Sequence, residues 1–270
     1  MKKINKVVIP VAGLGIRMFP ATKVIPKEML PVSNKPIIQL IVEEVINAGF
    51  KEIIFITNPK KSLVIEHFKK NENLEKIFKK KSQKNLLNES KKISKFNKFI
   101  KKVTQKEPLG LGHAILSAKK LVGRDHFAVV LPDMILENTS KKTNLSLMRK
   151  NFDKNKKSSI LLGKALKKDL NKYGIAKVKR INDKTYDVIE SIIEKPSPLK
   201  APSNYYAVGR YIFNNKFFDY LEKIKPDNTG EIQLTTAIEK YLKDKNNVNC
   251  FYLKDRVFDC GDKSGYLKAN

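Results

Sequence analysis

Between Val11 and Pro31 the chain reads V-A-G-L-G-I-R-M-F-P-A-T-K-V-I-P-K-E-M-L-P. Gly13 and Gly15 permit a tight turn and let a ligand approach the backbone closely. Two fixed cations, Arg17 and Lys27, follow. Backbone N–H groups in such a loop form a concave anion nest, and Arg and Lys neutralise the charge it attracts. The chemistry this suits is polyphosphate binding. Two common phosphate loops are excluded. The dinucleotide fingerprint wants glycine or alanine where Met18 stands, with a helix opening there. The P-loop wants Gly-Lys-Ser/Thr after a four-residue gap. A plain connection, with glycines serving only backbone geometry, remains the simpler reading. Arg17, Lys27 and three prolines tilt the stretch toward a rigid anion site.

Other candidates lie further along. Gln105 precedes K-E-P-L-G-L-G-H, and its amide offers both a donor and an acceptor, which suits the edge of a base. Gly110 and Gly112 would let a base or sugar pack against backbone. His113 reads as a local hydrogen-bonder, because nothing nearby in sequence would orient it as a catalyst. Asp133 ends an apolar run in L-P-D. It could cap a turn, or hold Mg²⁺ beside phosphate oxygens. Asp259, in D-C-G, has the same two uses. Lys195, in Glu194-Lys195-Pro196, is either a solvated lysine or a charge aimed at a pocket. No Ser–His–Asp or Cys–His arrangement is visible. Phosphoryl transfer to an acceptor that is already ionised needs none, since catalysis then reduces to positioning and charge neutralisation.

The elements that must position these groups follow a regular pattern. Lys6–Val11 is a short apolar first strand. A helix is expected over 36–49, with proline in its first turn and Gly49 at its end. A strand follows over 53–57, and Asn58-Pro59 should open a helix reaching about Phe68. Strands are expected at 99–104, 127–131 and 159–163, with helices at 112–121 and 145–152. The second half reads as strands at 175–181 and 188–193 around an Asn182-Asp183 turn, then 205–213 and 248–253, with a helix over 230–242. Alternating strand and helix predicts an α/β fold with a Rossmann-like, mostly parallel sheet flanked by helices. The loop at 13–17, Gln105, Asp133 and Glu194-Lys195 would then share the carboxyl ends of strands, where open α/β sheets bind ligands. No linker or repeat divides the chain, so 1–270 is expected to be one domain.

Composition bounds the rest. The chain has 270 residues with a net charge of +28, and 49 of its 55 basic residues are Lys. Nucleic-acid binders lean on Arg for bidentate contacts, and only six of the basic residues here are Arg. The charge therefore reads as coding bias rather than a specific nucleic-acid role. The stretch 76–102 has eleven Lys and one acidic residue, Glu89. It suits a basic, amphipathic helical excursion, either a solvated face or a subunit or anion contact. Cys250 and Cys260 lack metal spacing and suggest a reducing compartment. No apolar stretch reaches membrane-spanning length. The Met1-Lys2-Lys3-Ile4 start lacks a cleavage site and reads as the first strand, so a cytoplasmic location is expected.

The ordered set A-G-L-G-I-R-M-F-P-A-T-K-V-I-P-K-E-M-L-P (12–31), Gln105 with G-L-G-H-A (110–114), L-P-D (131–133), Y-G (173–174), E-K-P (194–196), V-G-R-Y (208–211), G-E-I-Q-L-T (230–235) and D-C-G (259–261) resembles the bacterial UTP–glucose-1-phosphate uridylyltransferases of the sugar-nucleotide pyrophosphorylase superfamily. The resemblance spans nearly the whole chain. It implies the nucleotide-diphospho-sugar transferase fold, with a smaller β-rich sugar-binding part. Residues 1–135 would be mainly nucleotide-binding and 136–270 mainly sugar-phosphate-binding. It implies that Ala12, Gly13, Leu14, Gly15, Glu28, Gln105 and Gly110 bind UTP, and that Arg17 and Lys27 stabilise the leaving pyrophosphate. Gly174 and Glu194 would contact glucose, Lys195 would hold its phosphate, and Asp133 and Asp259 would hold Mg²⁺. It also implies a homo-oligomer, dimer or tetramer, with no membrane or specific nucleic-acid partner. A relative using another nucleotide such as dTTP, a basic nucleic-acid-binding protein, and a catalytically dead regulator are the alternatives. Two departures stand out. Ile16 replaces the usual Thr, and the chain ends at Asn270 where relatives continue into a longer helix, which bears on oligomer contacts.

Overall fold

Three apolar runs, V-V-I, I-I-F-I and F-A-V-V, form the inner strands of a sheet covered on both faces. The computed structural model describes residues 3–59, 61–137, 143–181 and 186–270. The expected Asn182-Asp183 turn and the Met1-Lys2 start lie outside the described residues. In chain order the strands are β1 (Lys6–Pro10), β2 (Pro31–Val32), β3 (Lys35–Pro36), β4 (Glu52–Thr57), β5 (Ile100–Thr104), β6 (Phe127–Val130), β7 (Met134–Leu136), β8 (Ser158–Lys164), β9 (Gly174–Lys179), β10 (Val188–Glu194), β11 (Tyr205–Phe213), β12 (Val248–Tyr252) and β13 (Val257–Asp259). The helices are α1 (Ile37–Asn47), α2 (Ser62–Glu66), α3 (Glu72–Lys80), α4 (Lys84–Lys95), α5 (Gly110–Ser117), α6 (Lys119–Val122), α7 (Asn144–Asn155), α8 (Phe217–Leu221), α9 (Leu234–Lys243) and α10 (Lys263–Ala269).

Among the described residues the main sheet has nine strands, ordered β5-β4-β1-β6-β11-β8-β12-β10-β9. The first four run parallel, as expected. The second half corrects the expectation of a mostly parallel sheet. Strand β11 joins both β6 and β8 antiparallel, and β9 and β10 form an antiparallel hairpin. Their connection, residues 180–187, is too short for the crossover that a parallel pair requires. Strand β9 also pairs with β11, so β11, β8, β12, β10 and β9 close into a barrel-like arrangement. The fold is mixed α/β.

Alternate residues of the central strands feed two cores. Val7 and Ile9 point to one side, with α1 and α7; Val8 points to the other, with α5, α8 and α9. Each fully buried Val, Ile or Phe contributes roughly 1.5–3 kcal/mol. Two local expectations shift. The helix expected from Asn58-Pro59 begins at Ser62, because the Asn58 amide donates to the Ala12 carbonyl at 2.7 Å. The helix expected from Gly230 begins at Leu234, because the Ile232 backbone is engaged by two bonds outside a helix, to Leu109 and Gly112. The Lys-rich stretch forms the α3–α4 hairpin, with Asn71 capping α3 and no residue of α4 buried.

Candidate active site

The 13–17 loop leaves β1 in an ordered path. Gly15 adopts a φ of 70°, left-handed, and opens a short 3₁₀ turn over Ile16–Met18 rather than an α-helix. The Thr22 hydroxyl donates to the Gly15 carbonyl at 2.8 Å, and Asn58 holds Ala12 from the other side. Ile16 is 75 % exposed and sits at the edge of the larger cavity described below. The loop therefore keeps a hydroxyl tie, from Thr22, although position 16 has none.

Behind the loop lie two charge pairs, one half-buried and one buried. Lys27 Nζ sits 2.6 Å from Asp133 Oδ2. Burial opposes the Lys27 charge, but Asp133 and Glu28 outweigh it and hold its pKa above the usual lysine value. Burial likewise opposes ionisation of Asp133, yet Lys27 and Arg17 bring it below the usual aspartate value. The second pair joins Glu28, 1 % exposed, to Lys61 at 2.7 Å. Here desolvation dominates, raising Glu28 and lowering Lys61. The Glu28 carboxylate, expected beside a base, is thus turned onto Lys61.

Asp259 faces Asp133 across Gly261. A Cβ on Gly261 would stand 2.8 Å from Asp259 Oδ1, 2.9 Å from Arg17 Nη2 and 3.1 Å from Asp133 Oδ2. Only a missing side chain lets these three groups converge. The Tyr173 hydroxyl donates to Asp259 Oδ2 at 3.0 Å, and the Gly261 N–H donates to its Oδ1 at 2.9 Å. Burial, then the Asp133 charge, raises the Asp259 pKa. Among the described residues no cluster of three or more His, Cys, Asp or Glu side chains could hold a metal. Two carboxylates leave the remaining ligand positions to phosphate oxygens and water, which is how Mg²⁺ is commonly held. The donor set fits Mg²⁺ arriving with a polyphosphate.

The base and sugar candidates occupy the flanks. Gln105 is buried and its Nε2 lies 2.9 Å from His113 Nδ1, so His113 acts as a local hydrogen-bonder. On the other flank Gly174 and Glu194 end paired strands opposite each other. Lys195 follows with a φ of 42°, a backbone state that costs a non-glycine residue roughly 1–3 kcal/mol. Its N–H donates to the Tyr173 carbonyl at 3.0 Å, and its Nζ lies 3.6 Å from Glu194 Oε1.

Two adjoining cavities collect these residues. One, of about 440 Å³, is lined by Ala12, Gly13, Leu14, Gly15, Arg17, Lys27, Glu28, Gln105, Gly110 and Asp133. The other, of about 260 Å³, is lined by Arg17, Asp133, Gly174, Glu194, Lys195 and Asp259. Arg17, Leu111, Leu131, Asp133 and Glu231 line both. Every residue to which the family resemblance assigns a role lines one cavity or the other, whereas Gly112, expected to receive a base or sugar, packs against Ile232, whose carbonyl oxygen would lie 2.6 Å from a Cβ there.

A profile of nucleotidyl transferases matches residues 6–270. The chain belongs to the nucleotidyl transferase family. Within that family it is 43 % identical over 269 residues to the UTP–glucose-1-phosphate uridylyltransferase of Haemophilus ducreyi, covering 98 % of this chain and 91 % of that one. It superposes on the UTP-bound UGPase of Acinetobacter baumannii with a TM-score of 0.89, at 39 % identity over 98 % of this chain and 92 % of that one. It superposes on a UDP-glucose pyrophosphorylase complexed with UDP-glucose with a TM-score of 0.86, at 32 % identity over 98 % of this chain and 97 % of that one.

Five participants are missing from the sequence reading: Lys61, Tyr173 as the partner of Asp259, Glu231, and the buried pair Arg210–Glu44. The last left a signal. Arg210 interrupts the apolar run V-G-R-Y-I-F, and Glu44 falls on the apolar face of α1, three residues after Ile41 and seven after Ile37. Lys61 left none, being one lysine among many.

Proposed function

We propose that the chain transfers a uridylyl group from UTP to glucose 1-phosphate, forming UDP-glucose and pyrophosphate. The observation that carries this reading is the pair of adjoining cavities, one walled by the glycine loop and its cations, the other sugar-sized with a lysine at its rim, sharing Arg17 and Asp133. The phosphate oxygen of glucose 1-phosphate attacks the α-phosphorus of UTP in line, and the bond from that phosphorus to the β-phosphate oxygen breaks. Ala12, Gly13, Leu14 and Gly15 carry the triphosphate on backbone N–H groups. Arg17 and Lys27 neutralise the departing pyrophosphate. Gln105, oriented by His113, meets the uracil edge with Gly110, while Glu28 supports this wall through Lys61. Gly174 and Glu194 receive glucose hydroxyls, and Lys195 holds the sugar phosphate. Asp133 and Asp259 would hold Mg²⁺, which supplies charge neutralisation to the phosphates when bound.

Residues 1–135 provide most of the nucleotide side and 136–270 most of the sugar side, within one domain. Glu231 and Gly261 cross that division, since both line the larger cavity. The enzyme works in the cytoplasm as a homo-oligomer, dimer or tetramer. In support of a non-membrane protein, no helix among the described residues is long and apolar enough to cross a membrane. The test is pyrophosphate release from UTP, glucose 1-phosphate and Mg²⁺ by the purified chain. Faster turnover with dTTP would reassign the nucleotide. Absence of release across a panel of nucleotides and sugar phosphates would overturn the reading.

A further inference from the structure

Arg210 is fully buried in an apolar strand. Its guanidinium pairs bidentately with Glu44 of α1, through Nε to Oε1 at 3.0 Å and Nη2 to Oε2 at 2.7 Å. A buried ion pair is a weak source of stability, because desolvating two charges offsets most of their attraction. Its remaining donors suggest another use. Nη1 donates to the Leu131 carbonyl at 3.2 Å, and Nη2 to the Met134 carbonyl at 2.7 Å. These two carbonyls bracket Pro132-Asp133. The Leu131 N–H in turn donates to the Gly209 carbonyl at 2.8 Å, and the Asp133 carbonyl accepts from the Cys260 N–H at 2.7 Å, next to Asp259.

The backbone of β11 is shaped for this grip. Between Ala207 and Tyr211 it carries two more residues than β8 opposite, a bulge of the kind that re-aims side chains beside active sites. Within the bulge Gly209 has a φ of 77°, and a Cβ there would stand 2.8 Å from Leu131 Cβ. Only arginine has a planar fork that can satisfy a carboxylate and two carbonyls together.

We propose that Arg210, held by Glu44, is a positioning residue that fixes the Leu131–Met134 turn and so sets Asp133 against Lys27 and Asp259. This rests on the uridylyltransferase reading above, and concerns how the chain presents its carboxylates to Mg²⁺ carried by UTP. The variants are Arg210→Lys, which keeps the charge, and Glu44→Gln, which keeps the shape and an acceptor. Gly209→Ala pushes the same turn from its other side. Calorimetric titration of UTP in EDTA and again in Mg²⁺ separates nucleotide binding from the metal's contribution. In all three variants UTP affinity in EDTA stays at the wild-type value, while the gain conferred by Mg²⁺ falls about 10- to 100-fold, the usual effect of removing an outer support of a metal ligand. The kcat falls with it, and KM for glucose 1-phosphate does not move. Folded variants with wild-type Mg²⁺ gain and kcat would overturn the role of Arg210 and leave the activity intact. A wild-type chain that binds UTP in neither buffer would overturn the underlying reading instead.

Discussion

Lys27 and Lys195 stand on opposite sides of the site in opposite circumstances. Lys27 is half-buried, pinned to Asp133 at 2.6 Å, and carried on a short 3₁₀ turn walled by Glu28 and Lys61. Lys195 has a 57 % exposed side chain, looser contact with Glu194 at 3.6 Å, and a strained backbone at the end of β10. The proposed nucleotide side is prepared by charges that fix one another. The proposed sugar side is prepared by backbone geometry, with its cation left accessible. A charge fixed by a partner cannot be removed without disturbing the partner; a charge held by backbone can.

The sharpest way to break this contrast is through the buried pair. Glu28→Ala leaves Lys61 charged and alone, at a cost of about 3–5 kcal/mol. Thermal unfolding should show it as a marked fall in Tm, whereas Lys195→Ala leaves Tm near the wild-type value. On activity the order is similar. Lys27→Ala removes a cation from the departing pyrophosphate and leaves Asp133 unpaired, so kcat should drop roughly 10²–10³-fold. Lys195→Ala should lower kcat/KM for glucose 1-phosphate by about 10²-fold, the worth of a charged hydrogen bond, with KM for UTP unmoved. A KM change for both substrates would mean that the two lysines are not separable in this way. His113→Ala frees the Gln105 amide and should raise KM for UTP by about tenfold, near one ordinary hydrogen bond. Selectivity among nucleotides should fall with it in a competition assay. The smallest effect is expected of Ile16→Thr. Its side chain is 75 % exposed at the edge of the larger cavity and the loop already has the Thr22 tie, so kinetics should change by no more than about twofold.

The parallel half of the fold was legible because its strands are continuous apolar runs separated by helices of ordinary length. The closed second half was not. V-I-E-S-I-I breaks alternation where β10 shifts register between Ile189 and Ser191, and no spacing tells that β9 also pairs with β11. The candidate residues were legible by their place at strand ends, as at Asp133, Gln105 and Lys195, which the two cavities bring together. It was illegible where a residue acts through a long-range partner. Tyr173 meets Asp259 across 86 positions, and Arg210 meets Glu44 across 166. No local spacing encodes such pairs. The near-apolar surroundings of Arg210 could have flagged that a partner must exist, without saying which.

The wall shared by the two cavities has a kinetic consequence. Arg17, Leu111, Leu131, Asp133 and Glu231 face both compartments, and Ile232 ties the floor of the larger one to the segment leading into α9, which lines the smaller. Whichever substrate arrives first finishes part of the surface that receives the second. Under the proposed reaction both must then be aboard before any bond changes, and no covalent intermediate of the chain stands between them. Initial-rate plots at fixed levels of one substrate would intersect rather than run parallel, and exchange of label between pyrophosphate and UTP would require the sugar phosphate to be present.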